Sequence, residues 1–172
     1  MSVIIRDATA GDARSIGEVR VASWRWAYRG QLPDEILDGL SAAEDEARLT
    51  AWFQNPEARA AILVACGEDG RILGFANAGP SRDEGATPET GELRAIYVLK
   101  DVQGSGVGRA LLDPALDRLR AVDFERATLW VLESNDLGRR FYEKAGWVWD
   151  SSISTHQIEC ANLPIVRYAR DL

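Results

Sequence analysis

The chain has 172 residues, of which 46% are hydrophobic and 27% are charged, as is typical of one soluble globular domain. Its formal net charge is −7 and no basic cluster offsets the acidic excess, so we expect no nucleic-acid partner and favour a cationic ligand such as an amine. No apolar run is long enough to cross a bilayer and the N-terminus does not resemble a signal peptide, so we expect a cytoplasmic protein with no membrane partner.

The spacing of apolar residues predicts alternating strands and helices without internal repeats. Within the second helix, the residues from Gly39 to Ser41 suggest a break. The polar residues from Pro80 to Thr90 predict an exposed loop. In chain order, the predicted elements are a strand at 3–6, a helix from 12 to 29, a helix from 33 to 55, strands at 61–66, 72–77 and 92–98, a helix from 107 that Pro114 kinks near residues 110–113, a strand at 127–132, a helix from 135 to 145, and strands at 147–149 and 164–168.

A glycine-rich turn between a strand and a helix lies near the middle of the chain, at residues 103–109, Q-G-S-G-V-G-R. Glycine lets backbone amides approach a phosphate closely, and a helix N-terminus adds unpaired donors and the positive end of a dipole. A P-loop is excluded because no Lys-Ser or Lys-Thr follows the glycines, and a dinucleotide-binding oxidoreductase is disfavoured because the spacing is GxGxG rather than GxGxxG. A plain turn that caps a helix stays open as the alternative.

Two motifs, one after the other along the chain, resemble motifs of the GCN5-related N-acetyltransferases, the GNAT superfamily. Residues 103–108 resemble the pyrophosphate loop of that family, R/Q-x-x-G-x-G/A, and residues 135–147 are similar to its N-x-x-A-x-x-F-Y-x-x-x-G-F signature. The second motif departs from the family pattern at Gly138, where alanine is common, and at Trp147, where phenylalanine is common. The resemblance covers essentially all 172 residues as a single N-acetyltransferase domain.

The resemblance implies an α/β (α+β) fold with helices on both faces of a central sheet. This GNAT-fold sheet would be mixed, largely antiparallel and twisted, with about seven strands that splay apart between strands 4 and 5. By position, those two strands are residues 92–98 and 127–132. In the family, the pantetheine arm lies between them and pairs with the first strand as an extra strand would.

The resemblance also implies how the chain would bind acetyl-CoA as a co-substrate. Backbone amides from Gly104 to Arg109 would hold the pyrophosphate, and Ile96 and Val98 would offer backbone groups to the pantetheine arm. Asn135 would hydrogen-bond the same arm, with helix capping as its alternative role. The predicted cofactor-binding residues are Ile96, Tyr97, Val98, Gln103, Gly104, Ser105, Gly106, Val107, Gly108, Arg109 and Asn135.

Tyr142 and Glu92 are the candidate catalytic residues. The family signature implies that Tyr142 is the general acid that protonates the leaving thiolate, whereas a core aromatic beside Phe141 is the alternative. The helical phase places Leu137 and Phe141 on the core face, which leaves Tyr142 for the groove. A glutamate placed like Glu92 is the general base in the histone-acetylating branch of the family, and a solvated acid at a strand end is the alternative.

The remaining reactive side chains predict no further chemistry. His156 is expected to be an exposed bystander because it lies in a predicted loop or at a strand edge. No cluster has metal-ligand spacing, so we expect no metal. Cys66 and Cys160 are far apart and are expected to be buried free thiols.

Trp24 and Tyr28 are the candidate acceptor-binding residues, because in the family the first helix and the turn after it cover the acceptor side. Core packing is the alternative, and it is favoured for Trp26 over the other two aromatics. The leading hypothesis is an N-acetyltransferase that moves an acetyl group from acetyl-CoA to a primary amine of a small molecule or peptide, by direct attack in a ternary complex. A non-catalytic acyl-CoA-binding or regulatory module on the same fold is the rival hypothesis, and a homodimer stays open as an assembly.

Overall fold

The computed structural model describes residues 2–158 and 161–172, which are organised around one sheet of seven strands. The strands are β1 (Ile4–Asp7), β2 (Ala61–Cys66), β3 (Ile72–Pro80), β4 (Thr90–Val98), β5 (Arg126–Leu132), β6 (Val148–Ile158) and β7 (Ala161–Asp171). The helices are α1 (Ala13–Ala27), α2 (Asp34–Gly39), α3 (Ala42–Gln54), α4 (Val107–Arg120) and α5 (Asp136–Lys144).

The sheet splits between β4 and β5, its one parallel pair within the described ranges. The strand order is β1-β2-β3-β4-β5-β7-β6, and the other neighbours are antiparallel. Strands β4 and β5 pair only at residues 90–92 and 126–128, whereas β3 accompanies β4 as far as Val98. Beyond Glu92, the edge of β4 that faces β5 therefore has no strand partner. The prediction of a largely antiparallel sheet splayed between strands 4 and 5 is confirmed.

Helices cover both faces of the sheet, as predicted. Alternate residues of β2 point to opposite faces, so Leu63 packs in the core beneath α4 and Val64 packs in the core beneath α1 and α3. A third cluster lies at the end of α1, where Tyr28 and Leu37 pack against the β6–β7 hairpin. This third cluster places the hairpin over the open side of the split.

Local sequence patterns predicted the positions of most helices and strands, but not their lengths. The chain leaves the helical region at Leu40, where ψ is 129°, so the predicted break divides the second helix into α2 and α3. Helix α4 continues through Pro114 as one element. The closing strands span 148–158 and 161–171 rather than 147–149 and 164–168. Residues 150–157 are polar apart from Ile153, so they lack the apolar alternation that marks a strand.

Two side chains predicted to lie in the core are exposed instead. Trp26 is 38% exposed, and Leu137 is 63% exposed on the face of α5 that was assigned to the core. Both line a groove rather than the interior. Cys66 is a buried free thiol, as expected, whereas Cys160 lies outside the described residues. Among the helices in the described ranges, none is long and apolar enough to span a membrane.

Candidate active site at the split in the sheet

Two cavities meet where β4 and β5 diverge. The larger, of about 600 Å³, is lined by the glycine turn, β4 and α5, and is called the loop cavity here. The smaller, of about 300 Å³, is lined by α1, β4, β5 and the β6–β7 hairpin, and is called the hairpin cavity. The residues that line both cavities are Tyr28, Ile96, Tyr97, Asn135 and Tyr142. Ligands held in the two cavities would meet at this shared wall.

The glycine turn presents unpaired backbone amides at the N-terminus of α4. Gly104 and Gly106 have left-handed φ angles of 76° and 95°, and no atom lies within 4 Å of the Cβ position of either. The first hydrogen bond of the helix joins the Ala110 amide to the Gly106 carbonyl at 2.9 Å. The amides of residues 106–109 therefore have no acceptor within the part of the chain that the structure describes. Together with the helix dipole, they can bind an anion such as a pyrophosphate.

The side chains of the turn differ in their access to the loop cavity. The side chains of Gln103 and Arg109 line it, beside the backbone of Gly104, Gly106 and Gly108, and Arg109 also pairs with Asp113 through Nε at 2.8 Å. Val107 is 2% exposed in the core, so only its backbone could reach a ligand. The hydroxyl of Ser105 donates to the Val102 carbonyl at 2.6 Å, and its side chain does not line either cavity.

The free edge of β4 runs along both cavities. Ile96 and Tyr97 line both, and Val98 lines the loop cavity, where its carbonyl accepts a bond from Ser23 Oγ at 3.3 Å. The ring of Tyr97 packs against Phe75, with centroids 5.5 Å apart, on the face of the sheet covered by α1. This edge has no strand partner beyond Glu92, so it leaves room for the predicted backbone contacts with the pantetheine arm.

Asn135 caps α5 at the wall shared by the cavities. Its Oδ1 accepts from the Gly138 amide at 2.9 Å, which confirms the capping role. A Cβ at residue 138 would lie 2.8 Å from Asn135 Nδ2, so glycine at this position leaves room for the capping side chain.

Tyr142 is half-buried on α5 and lines both cavities. Its ring contacts Phe141 and Trp147, with centroids 5.3 and 6.2 Å away, and no residue in the described ranges bonds its hydroxyl. Burial raises the pKa of Tyr142 above its ordinary value, so the phenol keeps its proton at neutral pH. A proton donor in contact with both cavities is what a general acid requires.

Glu92 is a half-buried carboxylate in the hairpin cavity, at the last residue where β4 pairs with β5. Its Oε2 accepts from the Arg82 amide at 3.0 Å. Burial raises the pKa of Glu92, and the nearby Asp83 charge adds to the increase, while the Arg82 amide and the charges of Arg94 and Arg82 oppose it. A carboxylate with a raised pKa is a suitable general base.

Asp83 was not identified from the sequence, which predicted only an exposed loop from Pro80 to Thr90. The carboxylate of Asp83 accepts from Trp130 Nε1 at 2.7 Å and from Arg167 Nη1 at 2.8 Å. It therefore fastens the loop to β5 and β7 beside Glu92. Its partners lie 47 and 84 residues further along the chain, so no local pattern could have revealed them.

Trp24 and Tyr28 lie together at the end of α1 and line the hairpin cavity, and their ring centroids are 5.0 Å apart. Tyr28 is 9% exposed and packs in the third core cluster. It therefore contributes to core packing, which was the alternative to acceptor binding, and also lines the cavity. Burial raises the pKa of Tyr28. The hairpin cavity therefore brings together the predicted acceptor residues, Glu92 and Tyr142.

The β6–β7 hairpin adds residues that sequence reasoning did not assign to the site. His156 is exposed, as expected, but it lines the hairpin cavity. Trp130 on β5 and three aliphatic side chains of the hairpin complete the wall; the latter are Ile158, Leu163 and Ile165. Within the described ranges, no group of three or more His, Cys, Asp or Glu is arranged to hold a metal ion.

Comparisons with known proteins agree with the family resemblance found in the sequence. A family model described as the Acetyltransferase (GNAT) family matches residues 20–147. The chain is 36% identical over 133 residues to the uncharacterized N-acetyltransferase YuaI of Bacillus subtilis, which covers 77% of this chain and 73% of that protein. The fold is similar to that of the PaiA N-acetyltransferase of Thermoplasma acidophilum in complex with coenzyme A, with a TM-score of 0.75, 19% identity and coverage of 100% of both chains. It is also similar to YncA, a putative acetyltransferase of Salmonella typhimurium with its cofactor acetyl-CoA, with a TM-score of 0.76, 20% identity and coverage of 99% of this chain and 94% of that one.

Proposed function

The chain belongs to the GNAT family of acetyltransferases, and we propose that it moves an acetyl group from acetyl-CoA to a primary amine of a small molecule or peptide. The observation that carries the proposal is the meeting of two cavities at Tyr142. One cavity has the unpaired amides of residues 106–109 and the other has the Glu92 carboxylate. The two substrates would thus bind together and react directly.

The loop cavity suits acetyl-CoA as the co-substrate. The amides of residues 106–109 and the dipole of α4 would hold its pyrophosphate, and the open space beside Gly104 and Gly106 would let the phosphates approach the backbone. The pantetheine arm would pair with the edge of β4 beyond Glu92, in the place where a further strand is missing. Asn135 lines the same path.

Glu92 and Tyr142 would handle the two protons of the reaction. An amine attacks only as the neutral base, so Glu92 would accept a proton from the ammonium group, directly or through water. The C–N bond forms and the C–S bond breaks, and Tyr142 would donate its proton to the departing thiolate sulfur. The second proton that the nitrogen loses as it becomes an amide would return to the Tyr142 oxygen, directly or through water. Trp24 and Tyr28 would hold the body of the amine.

A non-catalytic acyl-CoA-binding module is the alternative on the same fold. The test is thiol release from acetyl-CoA, measured with and without a panel of primary amines, beside the thermal unfolding midpoint with and without acetyl-CoA. Thiol release that depends on an amine, with the acetylated amine detected by mass spectrometry, would support the transferase. A raised midpoint without amine-dependent release over the whole panel would favour the binding module.

A further inference from the structure

Most of the residues that line the hairpin cavity are aromatic or aliphatic. Five aromatic residues line it: Trp24 and Tyr28 at the end of α1, Tyr97 on β4, Trp130 on β5 and Tyr142 on α5. The hairpin adds the aliphatic side chains of Ile158, Leu163 and Ile165. A cavity of about 300 Å³ with such walls fits the apolar body of a small molecule or one side chain of a peptide.

The negative charge in this cavity has no side-chain cation bonded to it. Glu92 is the one carboxylate among the described residues that line the cavity, and its hydrogen-bond partner is the backbone amide of Arg82. A half-buried carboxylate without a bonded cation is complementary to one positive charge. Aromatic faces add to the attraction, because an ammonium group is drawn to the ring quadrupole.

The positive charge that lines the cavity is already neutralised. Arg94 is the one arginine or lysine among the described lining residues, and its side chain is 4% exposed. Its guanidinium bonds both carboxylate oxygens of Glu57, at 2.6 and 2.9 Å, and the Pro80 carbonyl at 2.7 Å. Only its Nε is left without an acceptor. At Arg94 a ligand carboxylate would find one hydrogen-bond donor rather than an unpaired positive charge, and it would lie in the same cavity as the Glu92 carboxylate.

On these grounds, and resting on the proposed acetyltransferase function, we propose that the acceptor is an amine with an aromatic or aliphatic body and no carboxylate. The carbon bonded to the amine nitrogen carries a hydrogen or a neutral group, such as an amide. In a free amino acid, that carbon carries the carboxylate. Arylalkylamines and the N-terminal residues of peptides have this chemistry. Free amino acids do not, although they offer the same ammonium group and the same side chain.

A matched series of three compounds tests the proposal. Phenethylamine, phenylalaninamide and phenylalanine share the ring and the amine, and the amide has nearly the size of the carboxylate without its charge. Their binding to the wild-type protein in the presence of CoA is measured by calorimetry, and their acetylation is measured separately. We expect phenethylamine and phenylalaninamide to bind at least tenfold more tightly than phenylalanine. Equal or tighter binding of phenylalanine, or no binding by any of the three, would overturn the proposal.

A pair of variants tests whether charge causes the discrimination. Leu163 lines the cavity from β7 and lies outside the proposed catalytic pair, so Leu163→Lys adds a cation, with Leu163→Met as the uncharged control of similar size. The Lys variant should lower the preference for phenylalaninamide over phenylalanine at least fivefold relative to the Met variant. An unchanged preference would contradict the role of charge. Binding in the expected order without any acetyl transfer would instead refute the transferase function.

Discussion

Replacement of Gly106 by alanine should weaken acetyl-CoA binding while the protein stays folded. Gly106 precedes the first residue of α4 with a φ of 95°, and no atom lies within 4 Å of its Cβ position. The added methyl group therefore meets no neighbour. Its cost is the strain of holding an L-residue in the left-handed region of backbone conformation.

The size of the effect follows from that strain, which is about 1–2 kcal/mol for a residue with a Cβ. The free variant can relieve it by turning residue 106 out of the left-handed region, which moves the amides of residues 106–109. Binding of the pyrophosphate must then restore the original turn, so the strain energy is lost from the binding free energy. The Kd for acetyl-CoA, measured by calorimetry, should rise by a factor of about 5–30.

Alanine variants of two other glycines show whether the weaker binding needs both backbone strain and a position at the cofactor site. Gly70 has a φ of 81° and an equally open Cβ position, but it lies in the β2–β3 turn, so Gly70→Ala should lower the unfolding midpoint and leave the Kd unchanged. Gly108 lines the loop cavity without a left-handed φ, and a Cβ there would lie 3.5 Å from the ring of Phe141, an ordinary contact. Gly108→Ala should therefore keep the Kd within about twofold, since alanine also suits the helix. Unchanged affinity in folded Gly106→Ala, or the same loss in Gly70→Ala, would refute the reasoning.

Three further substitutions test the acid, the base and the stability of the N-terminal segment. Tyr142→Phe should lower kcat by about 10²-fold or more and leave the Kd for acetyl-CoA nearly unchanged, because the ring stays and only the proton donor is lost; a normal kcat would exclude the acid role. Burial raises the pKa of Glu92, so wild-type kcat/KM should fall with decreasing pH earlier than for an ordinary glutamate, and Glu92→Gln should lower the rate and remove this acidic limb; an unaltered pH profile would assign the base elsewhere. Hydrogen bonds from Arg6, with Thr9 contributing, lower the pKa of Asp12 from 3.8 to about 2. The lowered pKa stabilises the fold above pH 4 by about 2 kcal/mol, which is lost between pH 4 and pH 2. Asp12→Asn should show this loss in denaturant unfolding at pH 7 and converge with wild type near pH 2, and parallel stabilities across that range would contradict the assignment.

The parts of the fold that local chemistry decides could be predicted from the sequence. The glycines at 104 and 106 mark a turn that requires positive φ, and both adopt it. The break near Gly39 and the cap at Asn135 depend on residues a few positions apart, and both are present. The split between β4 and β5 came from the family resemblance rather than from periodicity, and the register of the two strands confirms it.

The features that the sequence did not reveal depend on which surface a residue faces. Helical spacing put Leu137 and Phe141 on one apolar face of α5, which was assigned to the core. The same spacing is expected for a helix that lines a cavity, and Leu137 is 63% exposed in the loop cavity. Trp26 departs from its expected core position for the same reason. Asp83 and His156 reach the site through long-range pairing of a loop and a hairpin, which composition does not encode. The roles of Tyr142, Glu92, Trp24 and the cofactor-binding residues stay predictions until kinetics test them.

The measurement that tests the central claim most directly is the two-substrate initial rate of the wild-type protein. Acetyl-CoA and the most active amine are varied together, and thiol release is followed. Because the loop and hairpin cavities share a wall at Tyr142, both substrates should be bound when the acetyl group moves. The account predicts double-reciprocal lines that intersect. Parallel lines would contradict it, because they would indicate that the acetyl group is first transferred to the protein.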